Sequence, residues 1–166
     1  GAGIPAGAFG MSSALAERIA KSLRLEHIDV GGVGGTLAGN ALSMAAIRAT
    51  LTEVLTEEAF EKMEEISTVW TKDVQDIIDE FNIPWQVSRL GCRAEYSFRS
   101  KAPRTGKEAA DADDFNLQQY LHLHAINRGI LMTPFHNMAL ISPETTLEDV
   151  KRHTEHFRDA AKALFG

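Results

Sequence analysis

Ten residues, Gly31-Gly-Val-Gly-Gly-Thr-Leu-Ala-Gly-Asn40, constrain this chain more than any other stretch. Five of them are glycine, so the loop carries little side-chain bulk and has ready access to positive φ. It opens onto Ala41-Leu-Ser-Met-Ala-Ala-Ile-Arg-Ala-Thr-Leu51, a run nearly all apolar or small, and Asn40 stands where a helix N-cap belongs. A glycine-rich loop feeding a helix N-terminus is a physical template for phosphate, because free amides and the helix dipole point the same way. The same residues also read as a plain surface loop ahead of a buried helix, and taken alone they leave both readings open. Neither a G-x-G-x-x-G fingerprint after a strand nor a G-x-x-x-x-G-K-[ST] loop is present, so a phosphate here would be held in another manner.

At 166 residues, 44% of them hydrophobic, the chain is long enough for one sizeable core or a small pair of subdomains. A net charge of −6 argues against non-specific binding to nucleic acid or to anionic membranes. The one cysteine, Cys92, excludes an internal disulfide framework and points to a reducing cytosol. No apolar run is long enough to span a bilayer, and no charged-then-apolar leader opens the sequence. The expectation is a cytoplasmic, globular protein without nucleic-acid or membrane partners.

The opening segment, Gly1-Ala-Gly-Ile-Pro-Ala-Gly-Ala-Phe-Gly10, reads as the inside of a larger protein. Ser12 or Ser13 can cap a helix over residues 14–25, and residues 27–30 form a short strand or a connection. Residues 41–55 read as one helix, apolar almost all round to Leu51 and so packed on more than one side. Thr56 then starts a long amphipathic helix whose stripe of Phe60, Met63, Ile66, Trp70, Val74, Ile77, Ile78 and Phe81 ends near Asn82. That stripe is core, and Glu57, Glu58, Glu61, Glu64 and Glu65 are its solvated face.

After Pro84 the period falls to two, predicting strands on either side of Gly91, over 85–90 and 92–98. Residues 100–106 read as loop, and residues 111–127 as a helix stopped by Gly129. Short buried strands are expected at 130–132 and 138–141, flanking Thr133-Pro-Phe-His-Asn137. Thr145 and Glu148 have capping-box spacing and open a last helix. The pattern is an α+β module with a mostly antiparallel sheet, preceded by a piece of something else.

Chemistry-bearing motifs are few. His122 and His124 point to different faces of a helix, no zinc spacing occurs, and His153 and His156 read as surface residues. Cys92 reads as a small core residue in a strand. Arg93 and Glu95 share one face of a strand, as an exposed ion pair or, if that face lines a site, with Arg93 on a substrate carboxylate. Three loops, at 31–40, 93–96 and 133–137, could each line a pocket, which makes Arg93, Thr133, Phe135 and His136 candidate substrate contacts.

The opening glycine segment, Gly35-Thr-Leu-Ala-Gly-Asn40, and Met44-Ala-Ala-Ile-Arg-Ala-Thr-Leu51 together resemble the class III aminotransferases. These are fold type I pyridoxal-phosphate enzymes, and the branch in view is that of glutamate-1-semialdehyde aminomutase. Asn127-Arg-Gly-Ile-Leu-Met-Thr-Pro134, with Ser142, Thr145 and Glu148-Asp149-Val150, is similar to the C-terminal domain of that branch.

The resemblance implies an α/β fold with an α+β C-terminal part. Residues 1–55 would end the large cofactor domain, 56–82 would be a connecting helix, and 83–166 would form the small domain. It implies pyridoxal 5′-phosphate as cofactor, a homodimer with shared active sites, and a small amino donor and carbonyl acceptor as substrates. Thr36, supported by the backbone at Gly35, takes the family's phosphate contact across the dimer interface. The Schiff-base lysine is expected just upstream of Gly1, so this segment alone carries no catalytic residue. Ala41 replaces a proline common in the family, a harmless change at a first helical position, and Cys92-Arg-Ala-Glu-Tyr96 maps to no known role.

Overall fold

A computed structural model describes residues 3–22, 35, 37–133 and 136–166. The chain divides into two compact units, Gly1–Thr56 and Glu57–Gly166.

In the first unit, helix α1 spans Ser13–Ser22 and starts on the Ser12 hydroxyl, which accepts the Leu15 N–H at 3.3 Å. The expected extension to residue 25 and the stretch 27–30 lie outside the described residues. Helix α2 spans Ala41–Ala49, and Asn40 caps it by accepting the Ser43 N–H at 3.0 Å.

Two expectations for α2 are corrected. The helix does not run on in α form to residue 55, because Thr50–Val54 is a π-helical turn closed by the Leu55 N–H on the Thr50 carbonyl at 2.9 Å. The Thr52 hydroxyl donates to the Arg48 carbonyl, the acceptor that the next α-helical bond would use, and so loosens the ladder at that step. Nor is α2 interior within this unit: only Ser43 is buried, while Leu42 is 65% and Met44 42% exposed, and Leu51, in the π turn that follows, is 60% exposed. Ala46 and Ile47 are half-buried, but the described residues of the unit leave the other apolar side chains of α2 exposed.

The second unit is built on α3, Glu57–Glu80, about 36 Å long at 1.5 Å per residue. Met63, Ile66, Trp70, Val74, Ile77 and Ile78 are buried along one stripe and the five glutamates named above are exposed, but Phe60, expected at the head of that stripe, is 45% exposed. The helix stops in a Schellman turn. Asn82 takes φ +51, its N–H bonds the Asp79 carbonyl at 3.2 Å, and Ile83 reaches back to the Ile78 carbonyl at 2.9 Å. Burying Ile83 behind that turn anchors the exit into the sheet.

Strands β1 (Gln86–Leu90) and β2 (Arg93–Ser97) pair antiparallel through a two-residue turn, Gly91-Cys92. Gly91 has φ +57 and Cys92 does not share it, which is the type II′ pattern with glycine first. Cys92 is therefore a half-buried turn residue rather than a core residue within a strand. Strand β3 (Met138–Leu140) adds antiparallel to β2, with Ala94 opposite Ala139, for a sheet order β1-β2-β3.

The expected strand at 130–132 does not form. Gly129 (φ +76) and Ile130 complete another Schellman turn, and Ile130 spends its N–H on the Ala125 carbonyl at 3.0 Å. The helix expected over 111–127 starts later, as α5, Phe115–Ile126, capped by Asp114, and a separate short helix that was not expected, α4, Gly106–Ala110, capped by Thr105, precedes it. Two separate N-caps leave residues 111–114 outside both helices.

Helix α6, Leu147–Phe165, closes the unit. Its capping box is Thr146 with Asp149, one residue later than the Thr145–Glu148 pair, because the Thr145 hydroxyl is taken by the Ser142 N–H at 3.0 Å. The core lies between the sheet face bearing Ala94 and Tyr96 and helices α3 and α6. There Trp85 stacks on Tyr96 at 5.9 Å between centroids, and Phe157 tilts against Tyr96 at 5.0 Å.

Candidate functional site

In the first unit the described part of the glycine loop is Gly35 and residues 37–40. Gly35 sits at φ +85 and Gly39 at φ +69, and a side chain added at either would meet nothing within 4 Å. What requires glycine there is the left-handed backbone, not crowding. The Ala38 N–H closes a turn on the Gly35 carbonyl at 3.1 Å, and the Asn40 N–H closes the next on Leu37 at 3.3 Å. The Asn40 amide also donates to the Leu37 carbonyl and to Ser43 Oγ, and Ser43 Oγ donates to the Pro5 carbonyl at 2.9 Å. One asparagine thus ties the loop, the helix start and, through Ser43, the opening segment into a single turn. An exposed left-handed glycine with no side-chain bulk, next to a capped helix, fits a phosphate-holding backbone; Thr36 itself lies outside the described residues.

In the second unit Arg93 and Glu95 form the exposed pair, at 3.0 Å. Arg93 sits opposite Leu140 in the sheet register and Glu95 opposite Met138. Thr133 and His136 share one turn, with the His136 N–H on the Thr133 carbonyl at 3.3 Å. Thr133 is half-buried, His136 is exposed, and Phe135 lies outside the described residues. Beyond that turn, Asn137 is buried and its carbonyl accepts the Tyr96 N–H at 3.2 Å, which pins the loop end to the sheet. The structure therefore brings Thr133 and His136 together and leaves Arg93 on the sheet face, tied to Glu95.

Thr133 lines a cavity of about 570 Å³ walled by Trp70, Met132, Ile141 and Val150 and bordered by Arg152 and His153. Such a volume suits a small molecule. None of these last two side chains was singled out by the sequence as a site residue, and the histidines were read as surface residues. That reading is corrected: His153 is 4% exposed and His156 5%.

The signal was present, since 150, 153, 157, 160 and 161 share the buried face of α6. His156 Nδ1 meets His124 Nδ1 at 2.8 Å across α5 and α6, and His153 packs on Trp70 at 5.1 Å with its Nδ1 buried and unpartnered among the described residues. Burial, then the neighbouring His156, pushes the His153 pKa down to about 3; burial, then His124 and Arg128, pushes His156 down to about 4. Both rings are neutral at pH 7. Cys92 is no nucleophile candidate, because burial and then the Glu64 carboxylate raise its thiol pKa. Among the described residues no cluster of three metal-ligating side chains occurs, and no helix is long and apolar enough to cross a membrane.

No family model matches the chain. Known proteins do. The chain is 32% identical to the glutamate-1-semialdehyde 2,1-aminomutase of Anaeromyxobacter dehalogenans, over 92% of its own length and 34% of that protein's. It is 44% identical to a glutamate-1-semialdehyde aminomutase from Pseudomonas aeruginosa PAO1 solved in complex with PMP, with a TM-score of 0.85 over 95% of this chain and 35% of that one. A β-phenylalanine aminotransferase from Variovorax paradoxus matches at 25% identity and a TM-score of 0.69, over 78% of this chain and 30% of that one. The chain thus spans about a third of the length of the relatives it matches. Over almost all of its length it is homologous to a C-terminal portion of the class III, fold type I pyridoxal-phosphate aminotransferases, of the glutamate-1-semialdehyde aminomutase-like branch.

Proposed function

We propose that the intact protein moves an amino group between a small amino compound and a keto acid or aldehyde, using pyridoxal 5′-phosphate. In this reading it works in the cytoplasm as a homodimer with shared active sites. The observation that carries the reading is the match at 44% identity, over 95% of the chain, to an aminomutase whose structure holds PMP. Bound pyridoxal phosphate supplies an electron sink beside the carbon that carries the amino group.

The chain's own residues do the holding. Gly35, in a conformation that other residues adopt at a cost, lets the loop backbone come close to a ligand. Thr36 donates its hydroxyl to a phosphate oxygen, and Asn40 keeps the helix start behind it in register. Leu42 and Met44 on α2 and Leu51 in the π turn after it, all exposed, supply an apolar surface of the kind a second subunit covers. Thr133 and His136, held in one turn, face the substrate, while Glu95 occupies the Arg93 guanidinium.

A second reading, in which the chain by itself binds without catalysing, is favoured by one observation. Lys21, Lys62, Lys72, Lys101, Lys107, Lys151 and Lys162 are all exposed, whereas a lysine that forms a Schiff base works from a desolvated site. The longer protein, with pyridoxal phosphate, is expected to release a carbonyl product from at least one of a panel of amino donors, and the 166-residue chain to release none. Cofactor-independent turnover, or none from the longer protein with any donor, would overturn the first reading.

A further inference from the structure

We propose that the cavity between α3, β3 and α6 binds an apolar carboxylate, an acid with an aryl or alkyl body, and that Arg152 receives its charged end. As an assignment of substrate class this rests on the amino-transfer reading; as a binding site it stands on its own geometry.

The walls set the body of the ligand. Trp70, Met132, Ile141 and Val150 present ring, thioether and branched aliphatic surface to about 570 Å³ of space. Leu131, also in the lining, is 79% exposed, so part of the apolar surface is open to solvent. An apolar group entering here removes both its own surface and that of the walls from water. His153, buried in the lining, brings no charge near pH 7 and does not oppose an apolar guest.

The polar groups set the other end. Asp149 borders the cavity, but its carboxylate is committed to the Thr146 N–H at 2.9 Å and hydroxyl at 2.7 Å. The Thr145 hydroxyl is held by Ser142. Among the described residues Arg152 makes no hydrogen bond and no ion pair within 4.0 Å; the charge it acts on is the Asp149 carboxylate, beyond ion-pair distance, so its donors are open although its field is partly met. A planar guanidinium at the edge of an apolar cavity, with its donors unspent, matches a carboxylate. The sequence suggested Arg93 for such a role, and the structure shows that guanidinium already held by Glu95 at 3.0 Å. Arg152 is the cation left for the task.

The test uses the longer protein stripped of cofactor, titrated with 3-phenylpropionate and separately with 3-phenylpropan-1-ol, and followed by NMR at the indole N–H signals of Trp70 and Trp85. Trp70 should shift saturably with both probes, and Trp85, which does not line the cavity, should not. Arg152→Gln should weaken the acid by about tenfold, the size of one charge-assisted contact, and leave the alcohol unchanged. Lys151→Gln, the same charge change one residue away, should alter neither. No saturable shift at Trp70 overturns the site, and an acid as tight in Arg152→Gln as in the parent chain overturns the carboxylate assignment. Since no cofactor is present, neither result depends on whether the longer protein binds pyridoxal phosphate.

Discussion

His124 and His156 meet Nδ1 to Nδ1 at 2.8 Å across helices α5 and α6, so one ring donates, the other accepts, and the two cannot both be charged. His153 lies beside them, neutral and buried. Arg128 opposes a further proton on His124 and His156, and Asp159 weakly favours one.

This cluster makes the second unit acid-sensitive. The folded pKa values, about 4 for His156 and about 3 for His153, lie below the ordinary 6.5. Between those values the unfolded chain binds more protons than the folded one, so stability rises with pH. The stabilisation is complete above about pH 6.5 and is lost as pH falls toward 4. Urea midpoints should therefore fall from pH 7 to pH 5. His153→Leu removes an unpartnered buried nitrogen, so it should flatten the slope and cost little at pH 7, within about 1 kcal/mol either way. A midpoint independent of pH across that range contradicts the account.

The two adjacent threonines before α6 should differ. Thr146→Ala removes the N-cap and its reciprocal bonds to Asp149, a loss of about 1–2 kcal/mol. Thr145→Ala breaks only an exposed contact with Ser142 and should cost under about 0.5 kcal/mol. Chemical denaturation of both variants decides it. Equal losses would move the cap back to Thr145.

Arg93→Ala should leave stability within about 0.5 kcal/mol, as expected for an exposed ion pair. In the longer protein it should also leave KM for an acidic substrate unchanged. A tenfold rise would mean that the guanidinium leaves Glu95 for the substrate.

Much of the fold was legible because periodicity reports burial. The α3 stripe, the alternation around Gly91 and the Asn40 cap each follow from local rules that tertiary context did not override. What failed were choices between neighbours of equal propensity. Thr145 and Thr146 are indistinguishable until Ser142 claims one of them. Residues 130–132 are apolar enough for a strand until the α5 end-turn spends the Ile130 N–H. His153 and His156 were misplaced because a histidine counts as polar in a pattern, although it packs as an aromatic once neutral. The cavity was out of reach, since it joins residues from α3, β3, α6 and the segment after α5 that only the fold brings together.

The most direct test of the central claim, that the glycine loop holds the cofactor phosphate, is pyridoxal-phosphate affinity by equilibrium dialysis of the longer protein carrying Thr36→Ser or Thr36→Val. A hydroxyl bonded to a charged acceptor contributes about 1.5–3 kcal/mol, or about 10- to 150-fold in affinity. Thr36→Ser should stay near wild type and Thr36→Val should lose that factor, with the helix start intact because the Asn40 cap is untouched. Binding by Thr36→Val as tight as that of wild type would make the loop a connector and contradict the account.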